Sequence, residues 1–583
     1  MLAYSITPLP HSHTYKVELC FEATSHSHQL AIANWTPGSY TIRDYAGKIH
    51  SLSSNRGRLE QVNKNHWVLS NLTIGKEVRL TWLVHAYSLK VHDAYIDHQY
   101  GFINMPAICL FLEDIDDPIS VRFNSDDFGI YCSLEPGQTP NTWLAKDLET
   151  FLDSPATLVA QSCPSEYLSF VVNGIEHGII VTGTSRLDSD RLLHDISKIC
   201  SYVHQFWGGI PFTNYLFHLH LGENLYGGLE HHNSCALQKT ITALPGRYES
   251  NTPKGYLDVL QLFAHEYFHA WLVKFLRPET LHTYRLADNE VNTETLWVFE
   301  GFTTYYEQLI PLRAKLIDEE TFFESLSERF NAVLSKEGFH HDSLSQASFN
   351  AWTHLYKPSP LSPYQHTSYY GKGALLALIV DCHIREISHN HHSLDTLLSS
   401  WFLQAARDPS LRILPEYGLG KLFSQLGFLD ISSLLLALTR QQDAVLWQQM
   451  WERSLSLLGL STRPSRKQSP VSAHLGLTFV AGPSEAFPIV AYAHTEGNAF
   501  QAGLYAGDEI ISIEHNRVKN ASIERQILQW IGMDITIHFF RHGQLNKTSL
   551  NVTTETPFEI LEITPYQLTE CGVSWLEGSD KES

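Results

Sequence analysis

The chain has 583 residues, 43% of them hydrophobic, and a formal charge of −21 at pH 7. At roughly 150 residues per domain, that length and apolar content fill several cores, and the negative balance argues against nucleic acid as the main partner, because phosphate binding needs a basic face. No early segment reads as a secretory signal, no stretch approaches the roughly 20 apolar residues of a membrane span, and the eight cysteines are scattered without a Cys-x-x-Cys pair, so the expected compartment is the cytoplasm.

Residues 1–165 alternate apolar and polar side chains, as in Thr14-Tyr15-Lys16-Val17-Glu18-Leu19, between turn residues, which predicts a β-rich N-terminal domain. Within it the aromatic segment 35–44 reads either as a packed loop or as one that reaches a cleft. Over 166–303 the pattern becomes mixed. A hairpin across Asn173-Gly174 and a helix from about Asp188 to Phe206 precede an alternating strand, Tyr215-Leu216-Phe217-His218-Leu219-His220-Leu221. Gly227 and Gly228 follow, where a ligand backbone could approach closely. Glu230 could then hold a substrate ammonium, although a surface turn explains the same residues.

The next segment, from Tyr256 to Leu276, has no internal proline or glycine and predicts one long buried helix. It contains His265-Glu266-Tyr267-Phe268-His269. Positions i and i+4 share a helix face, so both imidazoles can converge on one ion while Glu266 projects towards its water. Catalytic zinc usually takes a third protein ligand. Glu300, in the apolar run Trp297-Val298-Phe299-Glu300-Gly301-Phe302, is a carboxylate that is costly to bury without such a partner. Glu307 lies two turns later on the same face, either as acceptor for a ligand imidazole or as an ordinary exposed glutamate.

From 304 to 460 helical periodicity dominates and predicts an α-helical lobe. Inside it, Tyr369-Tyr370-Gly371-Lys372-Gly373 opens an apolar helix whose tyrosine could donate to a developing oxyanion or simply pack. The polar, proline-bearing stretch 461–471 reads as a linker. It leads to a module over 472–556, with a Leu475-Gly476-Leu477 loop and a run from Ala502 to Ile513, and then a C-terminal tail, 557–583.

The order Gly227-Gly228-Leu229-Glu230, His265-Glu266-Tyr267-Phe268-His269, Trp297-Val298-Phe299-Glu300-Gly301-Phe302-Thr303 and Tyr370-Gly371-Lys372-Gly373 resembles the gluzincin aminopeptidases, and more closely the glycyl aminopeptidase family, whose members carry a C-terminal PDZ domain. The resemblance implies one Zn2+ ion on His265, His269 and Glu300, Glu266 as general base, Glu230 as anchor of the substrate amino terminus and Tyr370 as transition-state donor. The gap from His269 to Glu300 is longer than in the broader group, which leaves Glu294 as a competing ligand. His231 stands where that group has asparagine. The fold class implied is multidomain α+β: the β-rich domain, a thermolysin-like catalytic α/β lobe, the helical lobe and a PDZ domain whose 475–477 loop offers N–H groups to a peptide carboxylate. The expected activity is removal of small N-terminal residues, glycine or alanine, from peptides with a free amino terminus. The alternatives are a PDZ-based adaptor with an inactive or structural metal site, and a zinc endopeptidase.

Overall fold

The computed structural model describes residues 2–183, 186–249, 251–282, 285–428, 431–465, 467–481 and 487–578. They form two compact units: Met1–Thr293 with Tyr306–Leu316 and Asp395–Leu429, and Glu294–Tyr305 with Ile317–Leu394 and Asp430–Ser583. The stretch expected as one helical lobe, 304–460, is therefore divided between the units.

In the first unit, strands Leu2–Leu9 and Glu77–His85 bury every second side chain, as a sheet with one covered face requires. They belong to a seven-stranded sheet in which Leu2–Leu9 pairs in parallel with Ile119–Phe123 and antiparallel with Thr14–Glu22. Tyr4, Tyr15, Val17, Leu19 and Trp82 lie in its core. A five-stranded sheet follows, in the order Ser165–Val172, Ile175–Thr182, Asn214–Gly222, Ser234–Thr240, Gly227–Glu230. Asn173 and Gly174 turn its hairpin at φ 49° and 79°, the left-handed conformation that Asn-Gly supplies cheaply. The three central strands run parallel. Gly227–Glu230 adds antiparallel at the edge, with Glu230 opposite Cys235. Helices Ser189–Trp207 and Tyr256–Phe268 pack on this sheet, the second against Ser234–Thr240 and Gly227–Glu230.

The Tyr256–Phe268 helix stops short of the expected end at Leu276. His269 caps it with helical dihedrals, φ −62° and ψ −20°. The chain then folds back, with Leu276 N–H donating to Trp271 O and Val273 N–H to Leu276 O. Trp271 explains the break: its indole stacks on Trp207 and donates to Gly209 O at 2.8 Å, contacts that replace further helical turns.

In the second unit, helices Glu319–Leu334 and Ala444–Leu458 pack on Tyr369–Ile387. A separate sheet of Leu477–Ala481, Pro488–Ala493, Glu509–Ile513, Asp534–Arg541 and Gln544–Asn551, with the two-residue strand Asn516–Arg517, encloses Val490, Ile510, Ile537 and Leu550. The expected linker and tail are partly regular structure. Leu460–Pro464 pairs antiparallel with Leu561–Pro565, and Arg463 Nε meets Glu562 Oε2 at 3.1 Å across the pair. Helix Glu570–Glu577 buries Trp575, whose indole donates to Tyr305 Oη at 2.6 Å. All eight cysteines are free. Among the described residues, no helix is long and apolar enough to cross a membrane.

Candidate active site

The Tyr256–Phe268 helix and its cap set the His265 and His269 rings edge to face, with centroids 4.6 Å apart and planes at 87°. His265 Nδ1 lies 2.6 Å from Glu307 Oε2, and His269 Nδ1 lies 2.9 Å from Leu272 O. Carbonyls and carboxylates only accept, so both δ nitrogens donate, and in the neutral rings both ε nitrogens present lone pairs. Those two Nε2 atoms face each other at 3.0 Å. Two lone pairs at that separation repel unless a cation lies between them. Zinc–nitrogen bonds of about 2.0–2.1 Å at a tetrahedral angle bring ligand nitrogens to about 3.3 Å, so the pair fits a single zinc-sized ion.

Glu307, expected either as this acceptor or as an exposed residue, is 6% exposed. Its second oxygen accepts from Gln308 Nε2 at 3.2 Å, and Gln308 accepts from Gln261 Nε2 at 3.1 Å. Gln261 lies one turn before His265, so a line of amides fixes the carboxylate relative to the histidine helix.

Glu266 and Glu230 are also buried. Glu230, Glu266 and His269 bring one ligand atom each within 4.8 Å of one another. The glycines explain how. A methyl group at Gly228 would overlap the Glu266 carboxylate, and one at Gly38, where φ is +84°, would overlap that of Glu230. Gly228 thus clears room for the neighbouring carboxylate, a reason that the reading of a close ligand approach passed over. Gly38 brings segment 35–44 to Glu230. His231, at the departure from the wider pattern, pairs with Asp153 at 3.0 Å, and Lys274 Nζ reaches the same oxygen at 2.7 Å. Burial alone would raise the Asp153 carboxyl, but Lys274 and His231 hold it far below its usual range.

In the second unit, Glu300 is 1% exposed and sits in a π-helical turn, Trp297–Gly301, a form that recurs at functional sites. Gly301 and Gly373 approach back to back, and a side chain on either would strike the other's backbone. This contact seats the Tyr369–Ile387 helix on the Glu300 turn. Burial, and after it the Glu300 carboxylate, pushes the Tyr370 hydroxyl well above its usual pKa, which keeps it a donor. Glu294, the competing carboxylate, is instead engaged by Arg440 at 3.1 and 3.2 Å.

The 475–477 loop departs from expectation. Leu475 and Leu477 are buried, and Gly476, at φ +62°, donates its N–H to Ser472 O while its carbonyl accepts from His494 N–H. That N–H closes a helix end and is not offered to a peptide carboxylate. Sequence reasoning also missed Asp342, His354 and His366, which converge in the second unit. They lie in irregular chain twelve residues apart, where no periodic signal marks them.

Residues 3–159 match the Peptidase M61 N-terminal domain, and residues 258–376, which contain His265, His269, Glu300 and Tyr370, match M61 glycyl aminopeptidase. The fold is similar to that of the aminopeptidase N family protein from Idiomarina loihiensis, with TM-score 0.90 and 27% identity over 99% of this chain and 100% of the other. Weaker likenesses are to aminopeptidase A from Legionella pneumophila in complex with aspartic acid (TM-score 0.47, 14% identity, 75% of this chain and 49% of that one) and to an M1 zinc metallopeptidase from Deinococcus radiodurans (0.45, 11%, 76% and 93%). No curated protein matches the chain. The chain carries both the N-terminal and the catalytic domain of the M61 glycyl aminopeptidase family, and it is a peptidase.

Proposed function

We propose that the chain is a zinc aminopeptidase in which His265, His269 and Glu300 hold one zinc ion. The observation that carries this reading is the 3.0 Å approach of two ε nitrogens whose δ nitrogens both donate elsewhere. All three proposed ligands are buried and of the type that holds zinc. When bound, zinc supplies Lewis acidity and brings the pKa of water to about 7.

Glu266 takes the proton of the attacking water and passes it to the leaving amine. Glu230 receives the substrate ammonium, and its closeness to Glu266 and His269 means that a peptide anchored there presents its first peptide bond to the base. This favours an aminopeptidase over an endopeptidase. Tyr370, kept protonated by burial and Glu300, donates to the carbonyl oxygen as it gains charge. Glycine or alanine as first residue rests on the family resemblance. The module over 472–556 has a small sheet with helices Pro470–Leu475 and Ile523–Leu528, an arrangement that suits a PDZ domain.

The test is hydrolysis of glycyl and alanyl peptides with free or acetylated amino groups by native, Glu266→Gln and chelator-treated protein. The expected result is cleavage of free-amine peptides only, lost on chelation and in the variant. Activity that survives chelation overturns the metal, and equal cleavage of acetylated peptides overturns the role of Glu230.

A further inference from the structure

Three side chains of the second unit that the chemistry above does not use meet at one point. Asp342 follows the short helix Gly338–His341, His354 lies in the turns after Leu344–Phe349, and His366 caps Ser362–Gln365. His354 Nδ1 and His366 Nδ1 stand 3.7 and 3.8 Å from the same oxygen, Asp342 Oδ2, beyond hydrogen-bond reach. One ligand atom from each of the three lies within 4.8 Å of the others. The two imidazoles stack with centroids 3.6 Å apart and planes at 19°.

An ion pair with both rings charged does not account for this arrangement. Two protonated rings stacked at that distance would repel, and neither ring is close enough to bond the carboxylate. His354 Nδ1 is buried and has no hydrogen-bond partner among the described residues. Burial lowers the His354 pKa, which favours the neutral form that offers a lone pair. Asp342 is 4% exposed, with Thr367 N–H on Oδ2 at 3.3 Å. The nearby Lys372 ammonium is taken up by Phe339 O and Asp342 O at 2.7 and 2.9 Å.

We propose that Asp342, His354 and His366 form a second binding site for a divalent metal ion of the zinc class. Two imidazoles and one carboxylate are the donor set such ions favour. Bonds of about 2.0–2.2 Å place tetrahedral ligand atoms about 3.4 Å apart, close to the 3.7 and 3.8 Å from each Nδ1 to Asp342 Oδ2, and the two stacked rings splay apart on binding so that the ion lies in the plane of both. The His354 and His366 side chains are 23% and 27% exposed, which gives the ion an entry path and leaves water a coordination position. Such an ion would tie three irregular segments together just before Ser368, the N-cap of the Tyr369–Ile387 helix. Tyr356, two residues beyond His354, has its hydroxyl 3.4 Å from that of Tyr370. The site would thus stiffen the segment that backs Tyr370.

The test uses metal-stripped full-length chain, dialysed against Zn2+ and assayed for bound metal by mass spectrometry. Wild type should take two equivalents, His265→Ala one, and His354→Ala/His366→Ala one, with the zinc-dependent rise in Tm retained by both variants but smaller in each than in wild type. A wild-type content of one equivalent that His265→Ala removes would overturn the second site and leave the catalytic reading standing. Two equivalents in the double histidine variant would overturn it as well. Asp342→Asn should also take one equivalent; where its buried position prevents folding, the partly exposed histidine pair decides.

Discussion

His265 rests its Nδ1 proton on Glu307 Oε2, 2.6 Å away, and that bond decides which ring nitrogen faces His269. Glu307→Gln removes the charge that raises the basicity of the imidazole and lets an amide N–H turn towards Nδ1. Zinc affinity is expected to fall about 10- to 100-fold, read by competition with a chromogenic chelator, while far-UV circular dichroism stays unchanged. Undiminished affinity in the folded variant would reduce Glu307 to a packing residue.

Gly228→Ala and Gly38→Ala separate the two carboxylates. Alanine at Gly228 displaces Glu266, the general base, so kcat should drop by about 100-fold or more with little change in KM. Alanine at Gly38 displaces Glu230 and adds backbone strain at φ +84°, so KM for free-amine peptides should rise more than kcat falls. Equal effects of both variants on KM and kcat would sink the division of labour.

The histidine–glutamate core was legible because it is local: a spacing of four on one helix fixes the relation of His265 to His269, and a spacing of seven after Glu300 pointed to Glu307. The N-terminal strands were legible through their two-residue period. What depended on distant partners was not. The helix end at Phe268 is set by the Trp271–Trp207 stack across 64 residues of sequence, and the strand Leu460–Pro464 exists only through pairing with Leu561–Pro565. Gly228 looked like a ligand contact because nothing in its neighbourhood in sequence reveals that Glu266 stands against it. Asp342, His354 and His366 share no helix face or strand register, so no pattern could join them.

Tyr370→Phe removes one hydroxyl and leaves the ring that packs on Tyr369 at 4.8 Å. Loss of a single oxyanion donor typically costs about 100- to 1000-fold in kcat. That loss is expected here with the melting temperature nearly unchanged, measured by steady-state kinetics beside thermal denaturation. A folded variant with native kcat would show that Tyr370 only packs.

Acid should weaken the first unit through its neutral histidines. Burial lowers His177, His204 and His220 from about 6.5 to about 4; His177 and His204 flank the Tyr267 hydroxyl at 2.7 and 2.6 Å, and His220 Nδ1 lies 2.7 Å from Thr182 Oγ1. Between pH 6.5 and 4 the unfolded chain binds protons at these rings that the folded chain excludes. Stability from this source is therefore complete above pH 6.5 and declines as the pH falls towards 4, by about 1.4 kcal/mol per pH unit for each histidine. His220→Gln keeps a hydrogen-bonding side chain without the titration. The gap in melting temperature between wild type and His220→Gln should narrow steadily from pH 6.5 down to 4.5. A gap of constant width across that range would mean that His220 takes up its proton in the folded protein as readily as in the unfolded chain.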